Sequence, residues 1–423
     1  MKAEQLKIAM FSVHSSPIGE LGTKDTGGMS VYIRELAREL GRRGHHVDIF
    51  THFPKARSNQ IIDLYANVRL IHLSIGNNGH IDKQSLYPYL AEYFQMLEKF
   101  RAREENQYDL VHSHYWLSGR IGYWAQDYWG VPHILMFHTL GAVKNTLGQG
   151  QDEPALRLAT ERRLAQTCHR ILAATDRERA QLMRYYNASP AKIGVVPCGV
   201  NLDLFRPADR AQARRRLGLD PAESIVLYVG RFEPLKGIDR LLAAVTRLQH
   251  RHRLRLVIVG GDGHQTAESQ KLHRLSRNWG IQDAVTFAGR IDQKNLPPYY
   301  SAADVLVVPS HYESFGLVAL EALACGTPVV ATNVGAMVHI IQNGRTGCVI
   351  QTAEPGLLAA GIETVLAGTR AGDKSADAIR TSVLGFGWSN VADAINAEYE
   401  ILMAHQDFPV PRETGCRRVL WAN

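Results

Sequence analysis

Short apolar runs alternate with longer amphipathic segments along nearly the whole chain, and this alternation limits the fold more than any other feature of the sequence. Ile8–Val13, Val47–Thr51, Leu110–Ser113, Ile134–His138, Ile171–Ala174 and Val195–Val196 make a first series of runs. Ile225–Val229, Leu254–Val259, Val285–Ala288, Val305–Val308 and Val329–Ala331 make a second. Most are apolar at consecutive positions, as strands covered on both faces of a parallel sheet must be. Between them the period changes. Ile33, Leu36, Ala37 and Leu40 recur at helical spacing, and Gly41 and Gly44 end that pattern. Strands alternating with helices give βαβ units and doubly wound α/β sheets.

The alternation breaks once, where Pro197, Pro207 and Pro221 flank a polar, arginine-rich helical stretch at Asp209–Leu217. Two Rossmann-like domains are therefore expected, residues 1–205 and 206–385, with the C-terminal ends of their strands facing across a cleft. The helical pattern Trp388–Met403, within 386–408, lies too far along the chain to serve the second sheet and is expected to pack back on the first domain. Residues 409–423 read as a loosely ordered tail. Its Arg417, Arg418, Leu420 and Trp421 could touch a membrane surface, although a frayed terminus is the simpler reading.

Composition closes off other classes. With 45% of its 423 residues apolar, the chain has ample core material for two domains. No run approaches the ~18–20 apolar residues of a membrane span. Met1–Val13 reads as a first strand, not a signal peptide. The five cysteines, Cys168, Cys198, Cys325, Cys348 and Cys416, are scattered and form no CxxC pair, which fits a reducing cytoplasm. The net charge of +7 is spread along the chain without an aromatic-basic repeat, which argues against nucleic-acid binding.

Four groups of residues carry chemistry. Gly27 and Gly28, in Asp25-Thr26-Gly27-Gly28-Met29-Ser30, open a helix where backbone N–H groups can approach an anion. A plain glycine turn is the alternative, and the dinucleotide fingerprint GxGxxG is absent. In Gly230-Arg231-Phe232-Glu233-Pro234-Leu235-Lys236-Gly237, two cations follow a strand and suit a diphosphate; otherwise they are solvated surface charges. Glu313 and Glu321 form a Glu-x7-Glu, with Glu313 at a helix entrance and Glu321 about two turns in. That spacing makes an acid/base dyad implausible and suits two carboxylates that accept from sugar hydroxyls. His138 ends an apolar run and is expected at a strand tip in the cleft, or simply capped by backbone there. His112 and His114 share a face but lack further ligands nearby, so no metal site is expected. His45–His46 and Cys168–His169 read as solvated or core positions.

Together these stretches, with His14-Ser15-Ser16-Pro17, His112-Ser113-His114-Tyr115-Trp116, His138-Thr139-Leu140 and Val196-Pro197-Cys198-Gly199-Val200, resemble the retaining glycosyltransferases of GT-B fold that carry Glu-x7-Glu, the glycosyl transferase group 1 family. The likeness runs from about residue 7 to 403. It leans toward the inositol-phosphate glycosyltransferases of mycothiol synthesis and, more weakly, toward sucrose-phosphate synthases. The resemblance implies an acceptor in the N-terminal domain and a nucleotide-sugar, a UDP-sugar, in the C-terminal one. Arg231 and Lys236 would neutralise the donor diphosphate. Glu321 would bind ribose and Glu313 the transferred sugar, with His138 on that sugar's other side. Gly27, Gly28, Phe315, Gly316 and Leu317 would line the donor site, and Arg290 would lie near the base. His14 and Gly28 would face the acceptor, and Lys83, Tyr115, Thr139 and Arg157 would hold its phosphate. Ser30 stands where the family has asparagine, and Gly141 where alanine is common. No metal or cofactor is expected. Competing readings are a nucleotide-sugar 2-epimerase or hydrolase, a transferase building cell-surface or lipid-linked glycans, a dehydrogenase lacking its fingerprint, and a non-enzymatic nucleotide-binding scaffold.

Overall fold

The two series of apolar runs become two sheets. The structure, a computed structural model, describes residues 5–19, 26–53, 60–75, 83–148, 152–248, 253–261, 266–370 and 375–404. The tail reading at 409–423 lies outside these residues. The first sheet holds β1 (Lys7–Phe11), β2 (His46–His52), β3 (Gln60–Tyr65), β4 (Val68–Leu73), β5 (Leu110–His114), β6 (His133–Met136), β7 (Arg170–Ala173) and β8 (Ile193–Val195). Their order is β3-β4-β2-β1-β5-β6-β7-β8, parallel except where β3 runs against β4. The second sheet is fully parallel, with β9 (Ser224–Val229), β10 (Leu254–Val259), β11 (Val285–Gly289), β12 (Val305–Val308), β13 (Val329–Thr332) and β14 (Gly347–Ile350) in the order β11-β10-β9-β12-β13-β14.

Alternation along each strand sends side chains into different cores. On β1, Ile8 and Met10 enter one apolar cluster while Ala9 and Phe11 enter another. On β9, Ile225 and Leu227 join the first of these clusters, and Val226 and Tyr228 join a third. Each fully buried side chain of this size stabilises the fold by roughly 1.5–3 kcal/mol. The first cluster passes through both domains and takes in Ile33 and Leu36 of helix Gly28–Arg42 and Val391 and Ile395 of helix Trp388–Ala404.

Helix Trp388–Ala404 lies against the first sheet's domain. Asp393 pairs with Arg43 at 2.7 Å, Glu398 with Arg170 at 2.5 Å, and the Tyr399 hydroxyl meets His112 Nδ1 at 2.7 Å. Gly199 is where the connection must be bare, because a Cβ there would sit 2.6 Å from the Trp388 ring.

Three strands, β3, β4 and β14, go beyond the runs read from the sequence. Several expected strands end early, among them Ile8–Val13 at Phe11, Ile171–Ala174 at Ala173, and Ile134–His138 at Met136, two residues before His138 turns to φ +60°. The helix expected at Asp209–Leu217 starts at Arg210, with Asp209 accepting from the Gln212 N–H at 2.6 Å as its cap.

In each sheet the order reverses at one strand. β1 lies between β2 and β5, and β9 between β10 and β12. The helices that follow neighbouring strands there leave to opposite faces, opening a crevice beyond the strands' C-terminal ends. Most of the chemically loaded stretches follow β1, β5, β9 and β12 and so fall at these two reversals; His138 follows β6, the next strand along.

Candidate active site

A cleft of about 450 Å³ lies between the sheets, and all but one of the site residues expected from the sequence line it. Arg157 is the exception.

The donor half is built by turns and helix ends. After β9 the chain passes Gly230 and Arg231 into a short 3-10 turn, Pro234–Lys236. Gly237 has φ +66°, and a Cβ there would lie 2.1 Å from the Pro309 carbonyl oxygen. Only glycine lets this turn rest on the loop after β12. That contact brings Lys236 Nζ to 2.6 Å from Glu313 Oε1, which also accepts from Ser310 Oγ at 2.9 Å. Glu313 Oε2 takes part in neither bond. Arg231 pairs with Glu233 at 2.8 Å.

Gly316, at φ +114° and with Met337 Cε only 2.2 Å from a Cβ built on it, admits the chain into helix Leu317–Ala324. Across the cleft, helix Gly28–Arg42 begins at Gly27. Neither helix has an acidic residue in its first turn or a side chain capping its first N–H groups. The two helix N-termini approach closely: a Cβ on Gly28 would lie 3.3 Å from Leu317 Cδ1, and one on Gly27 would lie 3.7 Å from Arg231 Nε. Partial positive charge and unpaired N–H groups from both domains thus meet beside two cations, an arrangement suited to phosphate.

Deeper in this half, Glu321 accepts from Gln293 Nε2 at 2.8 Å and from the Tyr300 hydroxyl at 2.6 Å. Burial pushes its pKa up to about 7, against the pull of these two bonds. Gln293 is tied in turn to Arg34 of helix Gly28–Arg42 at 2.5 Å. Phe315 is buried at the helix entrance, and Arg290 follows Gly289 (φ +72°) at the end of β11.

His138 joins the halves. Its carbonyl accepts from Ser314 Oγ of the Glu-x7-Glu segment, and the Tyr312 hydroxyl of the same loop accepts from the Leu140 N–H at 3.3 Å. Its ring meets Tyr32 edge-on at 5.3 Å. Burial lowers its pKa to about 3, so the ring is neutral near pH 7.

The acceptor half rests on Tyr115, which follows β5 at φ +77°. That value is strained for a bulky residue, and such strain persists where surrounding packing enforces it. His14 packs on the Tyr115 ring at 4.5 Å, and Lys83 Nζ lies 5.5 Å from the ring centre. Arg157 sits behind this surface, 1% exposed. It pairs with Glu161 at 2.7 Å and Glu153 at 2.8 Å, and donates to Thr139 Oγ1 at 2.9 Å and to the Thr139 carbonyl at 3.0 Å. Its expected place at the cleft wall is therefore taken by Thr139, which it fixes.

Both departures noted in the sequence acquire reasons. A Cβ on Gly141 would crowd Leu158 at 2.9 Å and Glu161 at 3.0 Å. Ser30 turns away from the cleft, fully buried, and bonds Ser15 at 2.6 Å. Sequence reasoning missed Lys144, which lines this half and pairs with Glu153, and it missed Ser314 and Tyr312 as links between the domains.

The description Glycosyl transferases group 1 matches residues 209–381, and Glycosyltransferase Family 4 matches 26–204. D-inositol 3-phosphate glycosyltransferase 2 of Catenulispora acidiphila is 42% identical over 404 residues, 93% of this chain and 94% of that one. D-inositol 3-phosphate glycosyltransferase of Mycobacteroides abscessus is 40% identical, over 99% and 93% of the two chains. Among solved structures, sucrose-phosphate synthase from Thermosynechococcus elongatus matches with a TM-score of 0.87 at 34% identity, over 95% of this chain and 100% of that one. Anabaena Alr3699/HepE in complex with UDP and glucose, at 18% identity, shares the fold with a TM-score of 0.73 over 94% and 100% of the two chains. Likeness this strong through both sheets and the cleft between them means that the chain belongs to the glycosyl transferase group 1 family and is a glycosyltransferase of GT-B fold.

Proposed function

We propose that the protein is a retaining glycosyltransferase that moves a sugar from a UDP-sugar to a hydroxyl of a small phosphorylated polyol or sugar. The observation that carries this reading is the convergence, in one cleft, of two helix N-termini and two cations at one end with Lys83, Tyr115 and Thr139 at the other. The names of the relatives, inositol-phosphate and sucrose-phosphate enzymes, support a phosphorylated acceptor, and the fold neighbour with UDP and glucose supports the donor. The acceptor would be held by residues 1–205 and the donor by 206–385.

In this reading Arg231, Lys236 and the N–H groups at Leu317 stabilise charge growing on the departing diphosphate. Fixed cations of this kind serve where other transferases use a divalent metal, so neither metal nor cofactor is assigned a role. Glu321 accepts from the ribose hydroxyls. Glu313, steadied by Lys236 and Ser310, offers Oε2 to hydroxyls of the sugar in flight, while His138 faces that sugar from the first domain. Among the described residues no carboxylate is paired with Glu313 as nucleophile and acid, so a covalent glycosyl intermediate is not favoured. The leaving phosphate oxygen takes the acceptor proton on the same face of the sugar, which retains the anomeric configuration. No helix among the described residues is long and apolar enough to cross a membrane, and the four described cysteines are unbridged, which supports a cytoplasmic setting. The test is a screen of UDP-sugars against polyol and sugar phosphates that detects released UDP. Release that depends on acceptor, with a product whose anomeric proton keeps the donor's configuration, is expected. An inverted product, or donor consumption that needs no acceptor, contradicts the proposal.

A further inference from the structure

Behind His138 a buried chain of aromatic groups runs to the last helix. His138 Nε2 lies 2.9 Å from His114 Nδ1, the His114 and His112 rings lie tilted with centres 4.3 Å apart, and His112 Nδ1 lies 2.7 Å from the Tyr399 hydroxyl. His112, His114 and Tyr399 are all fully buried. Among the described residues the Nε2 atoms of His112 and His114 have no hydrogen-bond partner. We infer that His114 is a positioning residue that donates from Nδ1 to His138 Nε2, and so holds His138 as the tautomer with its proton on Nδ1, the ring nitrogen left open to the cleft.

Burial keeps all three imidazoles neutral, His112 and His138 at about 3 and His114 well below its ordinary value. Each ring therefore carries one N–H. With the Tyr399 hydroxyl taken as the donor to His112 Nδ1, the proton of His112 sits on Nε2. If His138 donated to His114, His114 too would carry its proton on Nε2. Two buried N–H groups on adjacent rings would then lack acceptors, and a buried unpaired donor forfeits its full hydration. With His114 donating, one such N–H remains, and the ring beside it carries a bare nitrogen. The backbone supports the same arrangement, since His138 is held at φ +60° with its carbonyl bonded to Ser314. The consequence is that His138 meets a ligand as a neutral Nδ1–H donor, suited to a sugar hydroxyl oxygen. This last step rests on the proposed reaction; the tautomer does not.

The wild-type protein decides the matter without substrate. Two-bond proton–nitrogen correlation spectra of histidine-labelled enzyme at pH 7, with the His138 signals identified by their loss in His138→Gln, should show a protonated Nδ1 and a bare Nε2. A protonated Nε2 overturns the inference. Two variants extend the test. In His114→Asn the amide nitrogen replaces Nδ1 as donor, so the His138 tautomer should persist and kcat should fall less than about threefold. In His114→Ala the donor is gone and nothing fixes either tautomer, so signals of both should appear for His138, and kcat should fall about tenfold while donor KM stays within about twofold. Equal losses in the two variants with the tautomer unchanged would also overturn it. An Nδ1–H His138 in a protein that transfers no sugar would reject the reaction and leave the tautomer assignment standing.

Discussion

The two ends of the cleft hold their charges in different ways. At the donor end, Arg231 and Lys236 line the cleft, each paired with a carboxylate that also lines it. At the acceptor end, Arg157 is buried behind Thr139 and committed to Glu161 and Glu153. A cation at the wall can exchange one partner for a phosphate as a ligand arrives. A cation locked in a buried network acts by fixing what stands in front of it. The donor end is thus built for binding charge that grows during reaction, while at the acceptor end Lys83 lines the cleft and Arg157 holds the wall from behind.

Removing a buried cation from its network should have the largest effect. Arg157→Ala leaves Glu161, which is 0% exposed, and Glu153 without their partner, and should cost about 3–5 kcal/mol of stability in chemical denaturation. A stability within about 0.5 kcal/mol of wild type would erase the contrast between the two ends. At the donor end, Arg231→Ala or Lys236→Ala should leave stability nearly intact and lower kcat by about 10²–10³, roughly 2.7–4 kcal/mol. Steady-state kinetics showing a raised donor KM with kcat unchanged would assign these cations to ground-state binding instead. Lys83 offers a finer test of the acceptor end, because it lines the cleft beside Tyr115. Lys83→Ala should raise acceptor KM about tenfold, within the ~1.5–3 kcal/mol of one charge-assisted bond, with donor KM unmoved.

The smallest effect follows from Glu321. Its folded pKa, raised to about 7, lies above the ordinary carboxylate value. Between those values the folded chain binds a proton that the unfolded chain does not, so this group's contribution to stability falls as pH rises through that window. Hydroxyl donors of a ribose favour the ionised form. Donor KM should therefore drop roughly threefold as pH rises from 6 to 8 in wild type and stay flat in Glu321→Gln. Parallel pH profiles for both proteins would remove Glu321 from ribose binding.

The same contrast explains what the sequence disclosed. The donor end is made of two contiguous stretches, Gly230–Gly237 and Glu313–Glu321, each following an apolar run, so their place in the cleft was legible. The acceptor end is assembled from residues 14, 83, 115, 139 and 144, and residue types alone do not say which of its cations are buried. Arg157, near a helix start after Pro154, was expected from the resemblance to hold the acceptor's phosphate. Its burial depends on Glu161 one turn later and on Thr139 from the loop after β6, a pairing that sequence patterns do not record. The positive φ angles of Tyr115 and His138 were equally hidden, since nothing in a Tyr or His announces them.

In the fold, the doubly apolar strands were readable and β3, β4 and β14 were not. β4 is interrupted by Arg69, whose charge is answered by Asp48 on β2 at 2.7 and 2.8 Å. β3 is a partly exposed edge strand, and β14 is four residues long with its middle two half-buried.

The central claim is that the end of the cleft formed by Lys83, Tyr115 and Thr139 recognises an anionic acceptor. The direct measurement is kcat/KM for one polyol with and without its phosphate, at saturating UDP-sugar, on the wild-type enzyme. The account predicts a preference of about tenfold or more for the phosphorylated form. Equal kcat/KM for the two would contradict it and return Lys83 to the surface charges.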